Sequence, residues 1–198
     1  MKKRRNILFC LLLCSLSCLY AQQEVESVLK RAEHLSVNYV FKLYGQTRRY
    51  AMNMEKQATR GVQIDWTIFS YQKWLKGSYI ISPKGLCCGS QLSFKQPQHG
   101  AREQLNDNET FGLISVSAFD NLIQKEQFTY SQTTYRLKEQ QQIHIGEHVL
   151  NVLYVVADID HTEMWIWNNR DLPVICKIEN NPLEINFYIE KITDKELK

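Results

Sequence analysis

Between residues 37 and 192 the chain repeatedly alternates apolar with polar side chains, a two-residue period that is typical of half-buried β-strands. The first two such stretches, 37–43 and 49–55, flank Gly45-Gln46 and predict a β-hairpin. Further strands are predicted around 64–68 and 79–81. We therefore expect an antiparallel meander in this half of the chain.

The C-terminal third gives the clearest strand pattern. Its apolar stretches are 149–157, 164–167, 174–178 and 183–192, and turn sequences at 168–171 and 180–182 separate the last three. In the last stretch Ile185, Phe187 and Ile189 alternate with polar or amphipathic residues. One face of this strand is therefore expected in the core and the other in water.

Helices are predicted at only two places. Apolar residues recur at helical spacing over 24–34, and Ser115 to Ser117 precede an apolar pattern that predicts an N-capped helix ending near Lys125. The Gly- and Pro-containing segments 83–89 and 96–108 are interpreted as loops around a short strand at 91–94.

The N-terminus has the three parts of a secretory signal peptide. A positive stretch, Lys2 to Arg5, precedes the apolar run Ile7 to Tyr20, and Ala21 supplies a small residue for cleavage. The run is shorter than the roughly 20 residues that a membrane-spanning helix needs. The predicted organisation is a signal peptide over 1–21 and a single β-rich domain over 22–198. The alternative is a lipoprotein acylated on Cys18, although Leu16 and Ser15 stand in the wrong order for a lipobox.

Cleavage at this position would change both the charge and the cysteine count. Four of the 24 basic residues and none of the 21 acidic residues lie before Gln22, so the processed chain would carry 20 basic residues against 21 acidic ones. This balance does not support nucleic-acid binding, which requires a basic patch. Cys87, Cys88 and Cys176 would remain, enough for at most one internal disulfide. Such a bond could join Cys176 to Cys87 or Cys88, or all three could stay as thiols.

No catalytic signature is present in the sequence. It contains no nucleophile elbow, P-loop or dinucleotide fingerprint. His144 and His148 flank Gly146 and are interpreted as parts of a hairpin turn rather than a metal pair, and the carboxylates of Asp158 and Asp160 as parts of a solvated turn. We therefore predict a protein that is not an enzyme and holds no metal or cofactor.

A family resemblance is carried by the segment Thr162 to Trp167, the passage through Leu172-Pro-Val, and Asn180 to Ile185. The segment resembles exported Bacteroidetes proteins of unknown function and, more distantly, the LolA-like periplasmic group. The resemblance implies an α+β fold: a strongly curved antiparallel sheet, a LolA-like half-barrel, with one or two helices on its concave side. It also implies an envelope location in a Gram-negative bacterium.

The expected function is that of an exported, non-catalytic envelope protein whose half-barrel cavity binds a lipid or an acylated partner such as a lipoprotein. The alternative is an envelope protein–protein interaction module without a cavity. No nucleic acid is expected as a partner, and no transmembrane segment is expected after processing. Large apolar side chains on strand faces and on the predicted helix are the candidate cavity lining. They are Tyr39, Phe41, Tyr50, Met52, Met54, Trp66, Phe119, Leu122, Ile123, Trp165 and Trp167.

Overall fold

The structure, a computed structural model, describes residues 34–57, 59–96 and 98–193. The strands are β1 (His34–Leu43), β2 (Gln46–Gln57), β3 (Gly61–Ser70), β4 (Lys73–Ile81), β5 (Gln91–Leu92), β6 (Arg102–Gln104), β7 (Glu109–Thr110), β8 (Gln127–Tyr130), β9 (Thr133–Ile145), β10 (His148–Ala157), β11 (Glu163–Trp167), β12 (Ile175–Glu179) and β13 (Ile185–Thr193). The helices are α1 (Pro83–Cys88) and α2 (Val116–Lys125). The predicted signal peptide and N-terminal helix lie outside the described residues, except that His34 begins β1.

Eleven of these strands form one sheet in the order β6-β4-β3-β2-β1-β13-β12-β11-β10-β9-β8. Neighbours along this order pair antiparallel, apart from β4 and β6, which pair parallel at one edge. β5 and β7 form a separate parallel pair. The sheet is open, because β6 and β8 are edges with different neighbours.

The predicted first hairpin is confirmed. β1 and β2 pair from His34 opposite Glu55 to Leu43 opposite Gln46. The chain reverses through Tyr44 and Gly45, both at positive φ (49° and 76°), a conformation that glycine adopts at little cost. Tyr50, Met52 and Met54 are buried along β2 while their neighbours are half-buried or exposed, as the two-residue period predicts.

The two helices show that the sheet is strongly curved. α1 packs against β3 and against α2, and α2 packs against β8. In a flat sheet β3 and β8 would be about 38 Å apart, since eight strand spacings of about 4.8 Å separate them. Two helices of about 10 Å diameter can connect them only if the sheet bends toward the helices. The predicted class, an α+β fold with a curved antiparallel sheet and helices on its concave side, is confirmed.

The segment 83–89, interpreted from its glycines as a loop, is a helix through Cys88, so that interpretation was wrong. Ser82 caps α1, because its hydroxyl accepts a hydrogen bond from the Gly85 amide at 3.0 Å, and Pro83 occupies the first turn. Proline is favoured there because the first amides of a helix have no intrahelical partner. Ser115 caps α2 in the same way through the Ala118 amide at 3.3 Å, as predicted.

Candidate functional site: an aromatic groove at one end of the sheet

A groove opens on the concave face at the end of the sheet where β1 turns into β2. Its volume is about 80 Å³. The lining side chains are mostly apolar and come from β1, β2, β13 and the segments before β6 and after β7. They are Phe41, Leu43, Tyr44, Tyr50, Met52, Phe94, Lys95, Gln96, Phe111 and Ile185.

A smaller pocket of about 20 Å³ continues the groove inward. It shares Phe41, Phe94 and Phe111 with the groove and adds Tyr39 and Phe187. The rings pack closely: the centroids of Phe41 and Phe187 are 5.0 Å apart, and those of Tyr39 and Phe187 are 5.4 Å apart. Flat, rigid rings of this kind bury large apolar area with little loss of side-chain entropy and suit an apolar chain.

The roof of the groove is the segment Ser93–Gln96, which belongs to no strand or helix. It is held at its ends: the Ser93 amide donates to the Thr110 carbonyl at 2.8 Å, and the Tyr79 hydroxyl donates to the Lys95 carbonyl at 2.8 Å. The Lys95 ammonium donates to Glu103 at 3.0 Å, and this hydrogen bond raises the pKa of Lys95. The Glu109 carboxylate lies 3.9 Å from the same ammonium, so two carboxylates surround this cation.

The structure brings only some of the candidate lining residues together. Tyr39, Phe41, Tyr50 and Met52 line the groove and its inner pocket. Met54, Trp66, Phe119, Leu122 and Trp167 are buried elsewhere, Trp165 is half-buried, and Ile123 is 48% exposed. That the listed residues bind a ligand stays a prediction.

Sequence reasoning missed the roof and Phe111. The segment around Phe94 was predicted as a strand, but β5 ends at Leu92. Nothing in the local pattern around Phe111 indicates that it reaches the groove, because its neighbours there come from the irregular segment 94–96 and from strands more than 50 residues away in sequence. Phe94 and Lys95 within a Gly- and Gln-rich stretch were the only available signal.

Trp165 and Trp167 stand at alternate positions of the apolar stretch 164–167, and the two-residue period predicts one environment for both. That prediction is wrong. Trp167 is 2% exposed, whereas Trp165 is half-buried, stacks on Tyr154 with ring centroids 4.8 Å apart, and lies beneath the Lys177 ammonium at 4.3 Å. The pairing of β11 with β12 shifts between Trp165 and Ile166, so the simple alternation does not extend across that point.

α2 is held by side-chain hydrogen bonds at its N-cap, Ser115, and near its middle, at Asp120. The Tyr130 hydroxyl, itself in hydrogen bond to Thr110 at 2.8 Å, accepts from the Ser115 amide at 3.2 Å. The Arg170 guanidinium donates two hydrogen bonds to Asp120 at 2.7 and 2.8 Å and lowers the pKa of that carboxyl. With Phe119 and Leu122 buried beneath it, this helix is anchored, and the groove roof is the less constrained element.

Tyr130→Phe tests the anchoring of α2. Removing the hydroxyl leaves the buried Ser115 amide and Thr110 hydroxyl without this partner, and we expect a loss of about 1–3 kcal/mol in the free energy of unfolding. Urea unfolding measures the loss, and Tyr44→Phe, at a site that is 64% exposed, is the control. Equal stability of the two variants would contradict the assigned role.

The rim next to the groove mouth carries most of the exposed apolar surface. The turns β1–β2, β3–β4, β10–β11 and β12–β13 all lie at this end of the sheet, as the register places Leu43 opposite both Gln46 and Ile185. Of the seven exposed large apolar side chains among the described residues, six lie on or beside these turns, and Ile123 is the exception. The six are Tyr44, Phe69, Tyr71, Trp74, Ile159 and Leu183.

Other sequence candidates do not form a reactive centre. His144 and His148 flank the predicted β9–β10 hairpin turn, which is confirmed. Asp158 accepts from Arg136 at 2.9 Å within an exposed turn. Among the described residues there is no group of three or more side chains placed to hold a metal ion, and no helix is long and apolar enough to cross a membrane.

Comparison with known proteins gives one structural similarity. No family model matches the chain, and no curated protein matches it in sequence. The crystal structure of MucB resembles it with a TM-score of 0.44 and 11% sequence identity, over 85% of this chain and 56% of the MucB chain. The chain thus spans little more than half of that protein's length. This similarity assigns neither a family nor a function, and the Bacteroidetes origin stays a prediction.

Proposed function

We propose that this is an exported, non-catalytic protein of the cell envelope that binds the apolar chain of a lipid or an acylated protein in the aromatic groove. The observation that carries the proposal is the placement of the groove: its mouth, at Leu43, Tyr44 and Ile185, opens on the rim that bears the exposed aromatic side chains. An apolar chain leaving a membrane surface could enter there without crossing water.

The groove volume of about 80 Å³ is well below the roughly 300–1,000 Å³ of typical ligand pockets. Binding therefore requires the roof, Ser93–Gln96, to move outward. Its backbone lies outside regular structure and its central residues are half-buried or exposed. Displacing it breaks mainly the hydrogen bond from the Tyr79 hydroxyl to the Lys95 carbonyl and the Lys95–Glu103 ion pair. This movement would separate Lys95 from Glu103 and Glu109, and its ammonium could then pair with an anionic head group.

The alternative is an interaction module whose exposed rim binds another envelope protein, and the small groove volume favours it. The two functions differ in what the purified protein carries. Native mass spectrometry of protein isolated from the exporting compartment should show a retained lipid if the groove is a ligand site. Lipid-free protein that also gives no fluorescence increase with a fluorescent fatty acid would support the interaction module instead.

The β3–β4 part of the rim predicts binding to anionic membranes. Along 69–76 the exposed Phe69, Tyr71 and Trp74 alternate with Lys73 and Lys76, and the segment contains no acidic residue. Aromatic side chains favour the membrane–water interface, and basic ones favour anionic lipid heads. The double variant Tyr71→Ser/Trp74→Ser is expected to bind phosphatidylglycerol vesicles about tenfold more weakly or worse in a co-sedimentation assay.

The matched control is Ile123→Ser, which removes an exposed apolar side chain from α2, away from the rim. It should bind vesicles as the wild type does. Unchanged binding by the double variant, or an equal loss in Ile123→Ser, would contradict a membrane-facing rim.

A further inference from the structure

Cys87 and Cys88 end α1 as a pair of adjacent, exposed thiols. Their sulfur atoms are in contact, with an Sγ–Sγ distance of 2.6 Å. The third described cysteine, Cys176, is buried in β12, and burial raises the pKa of its thiol to about 12. Of the two arrangements left open by the sequence, the structure has all three cysteines as thiols, with Cys176 buried apart from solvent.

We propose that Cys87 and Cys88 form a reversible dithiol–disulfide site that exchanges with disulfide-bearing oxidants. The thiolate of one cysteine attacks the oxidant's disulfide, which forms a mixed disulfide and releases one oxidant thiol. The neighbouring cysteine then attacks the mixed disulfide, which closes the Cys87–Cys88 bond and releases the second oxidant thiol. The protein loses two electrons and two protons, and the oxidant gains them as two thiols.

The adjacency of the pair favours the second step. A thiol already in contact with the mixed disulfide reacts intramolecularly, at an effective concentration that a thiol from solution does not match. The same adjacency makes the product easy to reduce, because neighbouring Cα atoms are about 3.8 Å apart and an unstrained disulfide prefers about 4.4–6.8 Å. Strained, exposed disulfides are easily reduced. We therefore expect this pair to alternate between the dithiol and the disulfide form, and not to stabilise the fold as a permanent disulfide.

Oxidation of the pair would also affect the contact between α1 and α2. The residue after the pair, Gly89, donates its amide to the Gly85 carbonyl at 2.8 Å, and its own carbonyl accepts from the Ser115 hydroxyl at 2.6 Å. Ser115 caps α2. Because the closed ring includes the peptide bond before Cys88, it constrains a backbone that is now helical, and the hydrogen bonds of Gly89 are the first to be strained.

Peptide mapping with oxidised glutathione as the oxidant tests the proposal. Trypsin releases the pair in the peptide 85–95 and Cys176 in the separate peptide 171–177. After oxidation and blocking of free thiols, we expect peptide 85–95 to be lighter by two hydrogen atoms, without glutathione, and to regain both thiols on mild reduction. Peptide 171–177 should be recovered as a thiol after unfolding.

Single variants distinguish exchange within the pair from incidental oxidation. Cys87→Ser and Cys88→Ser each leave one exposed thiol that cannot complete the second step, so both should accumulate the glutathione mixed disulfide. Cys176→Ala should oxidise as the wild type does. A glutathione adduct as the stable product in the wild type, a bond between peptides 85–95 and 171–177, a disulfide between two chains, or no reaction would each overturn the proposal.

A second measurement does not depend on any variant. Phenylarsine oxide binds two thiols that lie close together, and it should form a single adduct on peptide 85–95 of the folded, reduced protein. Prior oxidation should prevent that adduct. Hydrogen exchange should also show faster exchange of the Gly89 and Ala118 amides in the oxidised form. An arsenical adduct that persists after oxidation would count against the closed pair.

Discussion

Replacing Trp167 with alanine is expected to lower the free energy of unfolding by about 3–5 kcal/mol, whereas the same change at Trp165 should cost about 1 kcal/mol. The sequence presents the two residues identically, as alternate positions of one strand. The structure does not: Trp167 is 2% exposed at the end of β11, and truncation there leaves a cavity among rigid neighbours. Trp165 is half-buried, and its loss removes one stacking contact with Tyr154 and one cation–π contact with Lys177.

Urea unfolding of both variants, followed by far-ultraviolet circular dichroism, measures the difference without relying on the fluorescence of the removed side chain. Trp167→Phe is the control, because it keeps an aromatic ring at the site and should cost clearly less than Trp167→Ala. Equal losses at Trp165 and Trp167 would mean that both side chains occupy one environment, as the alternation alone predicts.

Local patterns predicted most of the long strands and one helix because those elements depend on neighbours in sequence. The segment 96–108, interpreted as a loop, contains β6, whose partner β4 is more than 20 residues away in sequence. The β1–β2 hairpin follows from alternation around Gly45, and α2 follows from Ser115 before an apolar face at helical spacing. α1 was missed because Gly85 and Gly89 suggested a loop, while the cap at Ser82 and Pro83 at the first turn were given too little weight. Both glycines are closely surrounded: a Cβ on Gly85 would lie 2.9 Å from the Glu109 carbonyl oxygen. Tertiary packing therefore explains these glycines better than turn formation does.

The groove could not be located from the sequence, for a different physical reason. Tyr39, Phe41, Tyr50 and Met52 were identified as large apolar side chains on strand faces, but that property does not separate core from lining. Whether a side chain lies in the core or lines the groove depends on which residues cover it. Here the covering residues are Phe94 and Phe111, and both belong to irregular segments. Irregular segments carry no periodic signal, so their position follows only from the complete set of tertiary contacts.

Tertiary contacts also distinguish the roof from α2, the element that the sequence pattern favours as a movable cover. An amphipathic helix over a curved sheet is typical of a cover that can open. Here α2 is fixed by the hydrogen bonds between Arg170 and Asp120 and between Ser115 and Tyr130. In contrast, the roof is attached mainly through Ser93 and the Lys95 carbonyl. We therefore expect the amides of Phe94–Gln96 to exchange faster than those of β10, and a bound fatty acid to slow them.

Leu43→Trp is expected to weaken the binding of a fluorescent fatty acid by about tenfold or more, because the indole ring enters a groove of only about 80 Å³ and occupies the space that the acyl chain needs. Leu43 is half-buried at the mouth, so the larger side chain can be accommodated without repacking the core.

Leu183→Trp makes the same substitution on the same rim but outside the groove lining, at a side chain that is 53% exposed, and should bind the fatty acid as the wild type does. In the wild type, a ligand concentration of about 100 times Kd should add about 2.7 kcal/mol to the stability, whereas in Leu43→Trp, with binding about tenfold weaker, the same concentration should add only about 1.4 kcal/mol. The groove is not the binding site if Leu43→Trp and Leu183→Trp bind alike. If neither the wild type nor any variant binds, and the roof amides exchange at the same rate with and without lipid, the apolar rim remains as an interaction surface and the alternative function is the correct one.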